Sequence, residues 1–203
     1  MVRGPTYSMP HRRRRERRTD YEKRSALVIS GLPRMVVRAS SKHTSVQFVE
    51  AKPEGDQVHA AAKSTELGEL AWKYGGGNLP AAYLTGMLAG LRAIKKGLHK
   101  AILDIGLRRV SKGARVFSAL KGAVDAGVEI PHDKEVLPSD ARVKGEHIAS
   151  YAKKLSADPE RYRAQFSGYL SRRLKPEDLP SVFEKAKERI ASLGKEPQKE
   201  TRK

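Results

Sequence analysis

Three segments in the first third of the chain have the residue pattern of β-strands, and they lie at residues 35–40, 44–51 and 57–64. The first is rich in valine, and the second alternates apolar and polar residues around Val46 and Phe48. Between the second and third segments, Pro-Glu-Gly-Asp at 53–56 supplies turn chemistry. Because the links between these segments are short, the pattern predicts an antiparallel meander.

Helical spacing begins after the third strand. Asn78 is predicted to cap a helix with Pro80 in its first turn, where the missing N–H of proline costs no hydrogen bond. Apolar residues recur on one face of this helix: Tyr83, Met87, Leu91, Ile94 and Leu98. A second face carries Gly86 and Gly90, each of which costs a helix about 1 kcal/mol relative to alanine. We therefore expect this face to approach a sheet, another helix or RNA closely, and a sheet is the favoured partner.

The second half of the chain adds one more strand and further helices. Residues 101–105 are nearly all apolar, which predicts a central strand covered on both faces. Gly127 is expected to end a helix at 114–126. Further helices are predicted at 65–72, 142–155, 159–173 and 180–193. This order of elements predicts an α/β fold with a mixed sheet. We divide the chain into a basic N-terminal arm (1–30), an α/β domain (31–135) and a helical extension with a polar tail (136–203).

The charge of the chain is large and unevenly distributed. The 203 residues include 41 Lys and Arg against 23 Asp and Glu, a net charge of +18. Residues 1–24 hold nine basic and three acidic side chains, and residues 92–121 hold nine and one, whereas residues 122–149 are acidic overall. Two concentrated basic regions predict a polyanionic partner. The alternatives are a basic protein kept soluble by its charge and a membrane-surface role, although residues 11–18 lack the bulky apolar face that membranes require.

Several classes of protein are excluded by composition. The sequence has no cysteine, which removes disulfides, thiol nucleophiles and Cys-ligated zinc. No segment approaches the ~18 apolar residues of a membrane-spanning helix, so we expect no membrane partner.

The first basic region is dominated by arginine, with six arginines among the seven residues 12–18. Guanidinium groups bind phosphate in a bidentate manner and stack on unpaired bases. Tyr7 and Tyr21 flank the run and could add stacking. Like charges repel, so the arm is expected to be irregular alone and ordered by its partner. A targeting signal or a solubilising tail is the alternative interpretation.

The second basic region follows the predicted strand at 101–105 and contains Arg108, Arg109, Lys112 and Arg115. Loops at the carboxyl ends of strands bind ligands in open α/β sheets. Because this loop is held at both ends, we expect it to position a nucleic acid, whereas the arm attracts one.

Catalytic patterns are weak. Asp104 on the apolar strand, with Glu50 as a partner, is the candidate centre of a two-metal nuclease, but such sites need several carboxylates around metals about 3.5 to 4 Å apart. The six histidines show no metal-ligand spacing, and the glycines at 75–77 lack the phosphate-loop pattern. We expect no enzymatic activity, no metal and no cofactor. A metal-dependent nuclease and a DNA-binding protein stay open as alternatives.

Seven stretches together resemble a known family: RRRRE at 12–16 with TDY at 19–21, PRMVVR at 33–38, GNLPAAYLTG at 77–86, LDIGL at 103–107, KGARVF at 112–117, ALKGA at 119–123 and GEHI at 145–148. The chain is similar to the universal 5S-rRNA-binding ribosomal proteins called protein eighteen of the large subunit, in their archaeal form. Arg17 and Arg18 stand where that family more usually has Gly-Lys.

The resemblance implies a ribonuclease-H-like mixed sheet, of the translational machinery component type, without nuclease activity. It implies a structural protein of the cytoplasmic ribosome that attaches 5S rRNA to the large-subunit rRNA at the central protuberance. Its neighbours would be the other universal 5S-binding protein and further central-protuberance proteins. The role of residues 156–203 is left open between RNA contact and packing on the subunit surface. The predicted RNA-binding residues are Arg12, Arg13, Arg14, Arg15, Arg17, Arg18, Tyr21, Arg38, Arg108, Arg109, Lys112 and Arg115.

Overall fold

One mixed β-sheet organises the fold. The computed structural model describes residue 4 and residues 6–195. The strands are β1 (Arg34–Ala39), β2 (Thr44–Lys52), β3 (Gly55–Lys63) and β4 (Ile102–Asp104). They lie in the order β3-β2-β1-β4, in which β1 to β3 are antiparallel neighbours and β4 runs parallel to β1. The predicted meander and the predicted mixed α/β sheet are confirmed.

Strand β4 lies at an edge of the sheet, so its predicted central position is wrong. Only three residues form the strand, and they pair with β1. The N–H of Ala101 donates to the carbonyl of Glu129 at 3.0 Å, and the N–H of Glu129 donates to the carbonyl of His99 at 2.8 Å. The segment around Glu129 therefore covers the start of this edge. A half-buried edge strand covered in this way has the same apolar composition as a central strand, so composition alone does not distinguish the two positions.

Helices α3 (Leu79–Lys95) and α4 (Arg115–Asp125) belong to the core on one side of the sheet. As predicted, α3 is capped by Asn78, whose Oδ1 accepts a hydrogen bond from the N–H of Ala81 at 2.9 Å. The short helix predicted at 65–72 is a 3-10 helix, Glu66–Leu70. The side chains at the centre of the core are fully buried and include Met35, Val37, Val46, Phe48, Leu84 and Leu120.

Glycines bring α3 and α4 into backbone contact. A Cβ atom on Gly86 of α3 would lie 1.9 Å from the carbonyl oxygen of Ala119, and one on Gly122 of α4 would lie 2.1 Å from that of Tyr83. Only glycine permits so close an approach. The expectation that this face packs against the sheet was wrong, because another helix occupies it.

The C-terminal part is helical and shares the core. Its elements are α5 (Asp140–Lys144), α6 (Glu146–Leu155), α7 (Pro159–Leu170) and α8 (Leu179–Lys195), with 3-10 turns at Lys134–Val136 and Pro176–Asp178. The single helix predicted at 142–155 is broken at Gly145, which has φ +85°. Phe183 of α8 is buried, with its ring centroid 5.5 Å from that of Tyr83 in α3. The division of the chain into three parts stays a prediction, and most of the polar tail lies outside the described residues.

The N-terminal arm contains more regular structure than its charge suggests. A single turn, α1, spans Arg12–Arg15, and α2 spans Tyr21–Ile29. Asp20 caps α2 by accepting a hydrogen bond from the N–H of Lys23 at 3.2 Å. Asp20 and Glu22 were the local signal for this helix. Neither α1 nor α2 has a buried residue. Among the described helices, none is long and apolar enough to cross a membrane.

Candidate nucleic-acid interface

A cleft of about 810 Å³ separates the arm from the sheet face opposite the buried core. Successive side chains of a strand point to opposite faces, so burial of Met35 and Val37 turns Val36 and Arg38 towards this cleft. The arm lines the other side, and the loop after β4 contributes Leu107 and Arg108 to the lining. The arm and the loop, which are far apart in the sequence, therefore border one cleft.

An ion-pair network crosses the floor of the cleft and fixes α2 to the sheet. Asp56 of β3 accepts hydrogen bonds from Arg24 of α2 and from Arg34 of β1, both at 2.8 Å. Arg34 also donates to Asp104 of β4 at 3.0 Å, and Arg38 donates to the other oxygen of that carboxylate at 3.0 Å. Arg34 is only 2% exposed, so its two carboxylate partners replace water around a buried charge. Arg24 and Arg34 were not predicted as site residues from the sequence, although the spacing of Arg34 and Arg38 places both on one face of a strand.

The environment of Asp104 indicates a structural role for this carboxylate. Besides the two arginines, it accepts a hydrogen bond from the N–H of Gly106 at 2.8 Å, which fixes the turn after β4. The proposed partner Glu50 lies elsewhere, with Oε2 2.9 Å from Nε2 of His59. Within the described part of the chain, no group of three or more His, Cys, Asp or Glu residues could hold a metal ion. The geometry therefore does not support a two-metal nuclease.

The arginines of the arm are exposed and only partly occupied by protein contacts. Arg13 donates to Oγ1 of Thr19 at 2.8 Å, while Arg12 and Arg18 lie 3.8 Å and 3.2 Å from the carboxylate of Glu16. The remaining arginines of the run, Arg14, Arg15 and Arg17, form no ion pair with any described residue.

The turn that ends α1 forms even though Arg17 stands where the family more usually has glycine. Arg17 has φ +52°, the left-handed conformation that favours glycine.

Tyr21 is half-buried, and its ring centroid lies 5.8 Å from that of His11, so a neighbouring side chain already occupies part of its surface.

The predicted basic loop is fixed by the protein at several points. Arg108 donates to the backbone carbonyl of Ala39, and Arg115 donates to the carbonyls of Ser40 and Gly77 at 2.7 Å and 2.6 Å. Carbonyl partners hold these guanidinium groups without neutralising them. Two further residues differ: Lys112 is paired with Glu135 at 2.5 Å, whereas Arg109 is exposed and forms no ion pair within the described residues.

Comparison with known proteins identifies the family. Residues 6–99 and 95–133 match the family described as ribosomal large subunit proteins 60S L5 and 50S L18. The chain is 55% identical, over 203 residues, to large ribosomal subunit protein uL18 of Aeropyrum pernix, covering 99% of this chain and 95% of that protein. It is 54% identical to the uL18 protein of Staphylothermus marinus over 94% of this chain and 95% of that protein.

The chain belongs to this ribosomal protein family. It is accordingly a component of the large subunit of the cytoplasmic ribosome, with rRNA and ribosomal proteins as partners, and it is not an enzyme. The resemblance described above and the prediction of a non-enzymatic ribosomal protein are confirmed.

The sequence match to these relatives extends over the C-terminal helices of this chain, because it covers 94% or more of the chain. In these helices, Tyr162 and Tyr169 lie with ring centroids 5.3 Å and 6.1 Å from that of Phe166. Tyr169 also contacts Tyr74 edge-on at 5.3 Å, and burial is the main cause that raises the pKa of Tyr74 to about 12. These rings pack mainly on one another, and Tyr151, which is 49% exposed, also contacts Phe166, with ring centroids 6.3 Å apart.

Proposed function

We propose that the chain binds 5S rRNA and attaches it to the large-subunit rRNA at the central protuberance, beside the other universal 5S-binding protein. The observation that carries the proposal is the shared cleft: Arg13 and Arg18 of the arm and Arg38 and Arg108 of the body all line it. One continuous basic surface can follow a folded RNA backbone.

The arm and the loop contribute differently to this binding. Arg12–Arg15, Arg17 and Arg18 are exposed on a segment that buries nothing, so they attract RNA from a distance and lose conformational entropy when they bind. Arg108 and Arg115 are already held by backbone carbonyls and lose less. We assign attraction to the arm and positioning to the loop with Arg109 and Lys112, while Arg38 contacts RNA in the cleft and Tyr21 stacks on an RNA base.

The proposal is tested by the affinity of the full chain for 5S rRNA as a function of salt concentration. Each phosphate contact contributes roughly 0.7 to 0.9 to the slope of log affinity against log salt. A steep slope, together with weaker binding of a duplex DNA of equal length at physiological salt, is expected. A nearly flat slope, or equal affinity for the two nucleic acids, would contradict the proposal.

Charge-matched variants separate the cleft from general basicity. The double variant Arg108→Gln with Arg109→Gln should weaken 5S rRNA binding and lower the slope by up to about two contacts, while the circular dichroism spectrum is unchanged. The control replaces Lys153 and Lys154 of α6, which are exposed and do not line the cleft, with Gln. Equal losses in both double variants would show that only net charge matters.

A further inference from the structure

A second cavity, of about 430 Å³, lies where the basic loop meets the start of α4. Four arginines line it: Arg108 and Arg109 from the loop, Arg115 from α4 and Arg142 from α5. No carboxylate is among the lining residues. Its apolar side is formed by buried or half-buried side chains that include Ile105, Val116 and Phe117.

Arg142 reaches this cavity from a part of the chain outside the predicted interface. Val143 is 4% exposed and anchors α5 in the core, which leaves the neighbouring Arg142 on the surface. The guanidinium of Arg142 lies against the loop, because a Cβ atom on Gly113 would be 3.6 Å from its Nη1. Three separate segments thus supply guanidinium groups to one cavity.

The four charges are unneutralised within the described residues. Arg108 and Arg115 bond to neutral carbonyls, and Arg109 and Arg142 have no carboxylate partner there. Lys112, in the same loop, is paired with Glu135 and does not line the cavity. Like charges gathered beside apolar side chains repel one another, and an anion that enters removes this repulsion.

We propose that this cavity is a phosphate-binding site in which four arginines bind one backbone phosphate of the rRNA: Arg108, Arg109, Arg115 and Arg142. The inference rests on the proposed function and adds to it a defined ligand group and a C-terminal residue. A planar guanidinium group can bind two phosphate oxygens at once, so several guanidinium groups around one cavity favour phosphate over an anion with a single acceptor atom. The volume exceeds that of a phosphate group and admits the attached sugar.

The test compares Arg142→Gln, Arg142→Lys and the control Lys144→Gln in the full chain. Lys144 lies on the same short helix and carries the same charge, but it is paired with Glu184 and does not line the cavity. We expect Arg142→Gln to weaken 5S rRNA binding roughly tenfold, Arg142→Lys to recover only part of that loss, and Lys144→Gln to change affinity less than about twofold. Equal losses in the Arg142→Gln and Lys144→Gln variants would overturn the proposal.

A second measurement does not depend on RNA. Inorganic phosphate, added at constant ionic strength against chloride, should shift the amide NMR signals of Gly113, Ala114 and Arg115 in the unmodified chain but not in Arg142→Gln. If these shifts appear while the unmodified chain fails to bind 5S rRNA, the site stands and the proposed function falls. If they appear while RNA affinity is unchanged in Arg142→Gln, the site binds free phosphate and its assignment to RNA is overturned. Absence of the shifts in the unmodified chain overturns the site itself.

Discussion

Replacement of Gly86 by alanine should destabilise the protein, although alanine is the better helix former. The added Cβ would meet the carbonyl oxygen of Ala119 at 1.9 Å, whereas an ordinary van der Waals contact of a Cβ atom is 3.4 to 4 Å. A backbone carbonyl cannot rotate away as a side chain could, so α3 and α4 must separate. Overpacking costs typically 1 to 3 kcal/mol and occasionally more, and the gain in helix propensity is about 1 kcal/mol.

We expect an overpacking cost of about 3 kcal/mol, the upper end of the range, because the added Cβ meets a backbone carbonyl, and a net loss of about 2 kcal/mol after the gain in helix propensity. For a protein of this size that corresponds to a fall in Tm of roughly 4 to 8 °C. The assay is urea unfolding of the full chain, followed by far-ultraviolet circular dichroism. Gly168→Ala in α7 is the matched control, since no atom lies within 4 Å of the added Cβ, and it should stabilise by roughly 0.5 to 1 kcal/mol. Equal stability of the Gly86→Ala variant and the unmodified chain would refute the backbone contact.

Three further predictions test other parts of the molecule. Deletion of residues 1–18 should leave the thermal stability of the RNA-free protein nearly unchanged and weaken 5S rRNA binding strongly, because the described residues of this segment bury no side chain; a large fall in Tm would show a structural role. Asp104→Asn should cost roughly 1.5 to 3 kcal/mol in the free energy of unfolding, because it removes one of the two carboxylates that pair with buried Arg34 and leaves only Asp56; an unchanged urea midpoint would show that the network is dispensable. The phenol of Tyr74 donates to the carbonyl of Lys175 at 2.7 Å, and its pKa is raised to about 12. The stability that the neutral phenol provides is therefore complete below pH 10 and is lost as the pH rises towards 12, which lowers the urea midpoint. Tyr74→Phe should reduce this fall in the urea midpoint, and identical pH profiles of the two proteins would contradict this account.

Local signals in the sequence were sufficient for much of the fold. The turn residues at 53–56 and the alternation around Val46 predicted the meander, and Asn78 with Pro80 predicted the start of α3. Each of these patterns involves residues that are close together in the chain, so it can be recognised in the sequence. The covering of the edge beside β4 depends instead on the backbone of Glu129, and the contact of Gly86 depends on Ala119. Neither partner can be identified from spacing alone.

The candidate site was predicted in its composition but not in its arrangement. The basic residues of the arm and the loop were found from charge density, while the cleft that joins them is formed by the tertiary fold. Arg34 looked like an ordinary strand residue, because nothing local shows that Asp56 and Asp104 lie on either side of it. Arg142 was missed for the same reason, since only folding brings α5 against the loop.

The parallel pairing of β1 with β4 also affects the order in which the protein matures. The arm, the meander and α3 are all synthesised before β4. Strands that are far apart in the sequence, such as β1 and β4, pair more slowly than neighbouring strands do. During translation, the arginine run is therefore available to RNA before Arg108 and Arg115 have the carbonyl partners that fix them. We expect a nascent chain arrested at residue 99 to retain RNA binding that is abolished by moderate salt, whereas binding by the finished chain persists. Assembly would then begin with weak RNA binding by the arm and end with positioning of the RNA by the loop, in the order in which the ribosome synthesises these segments.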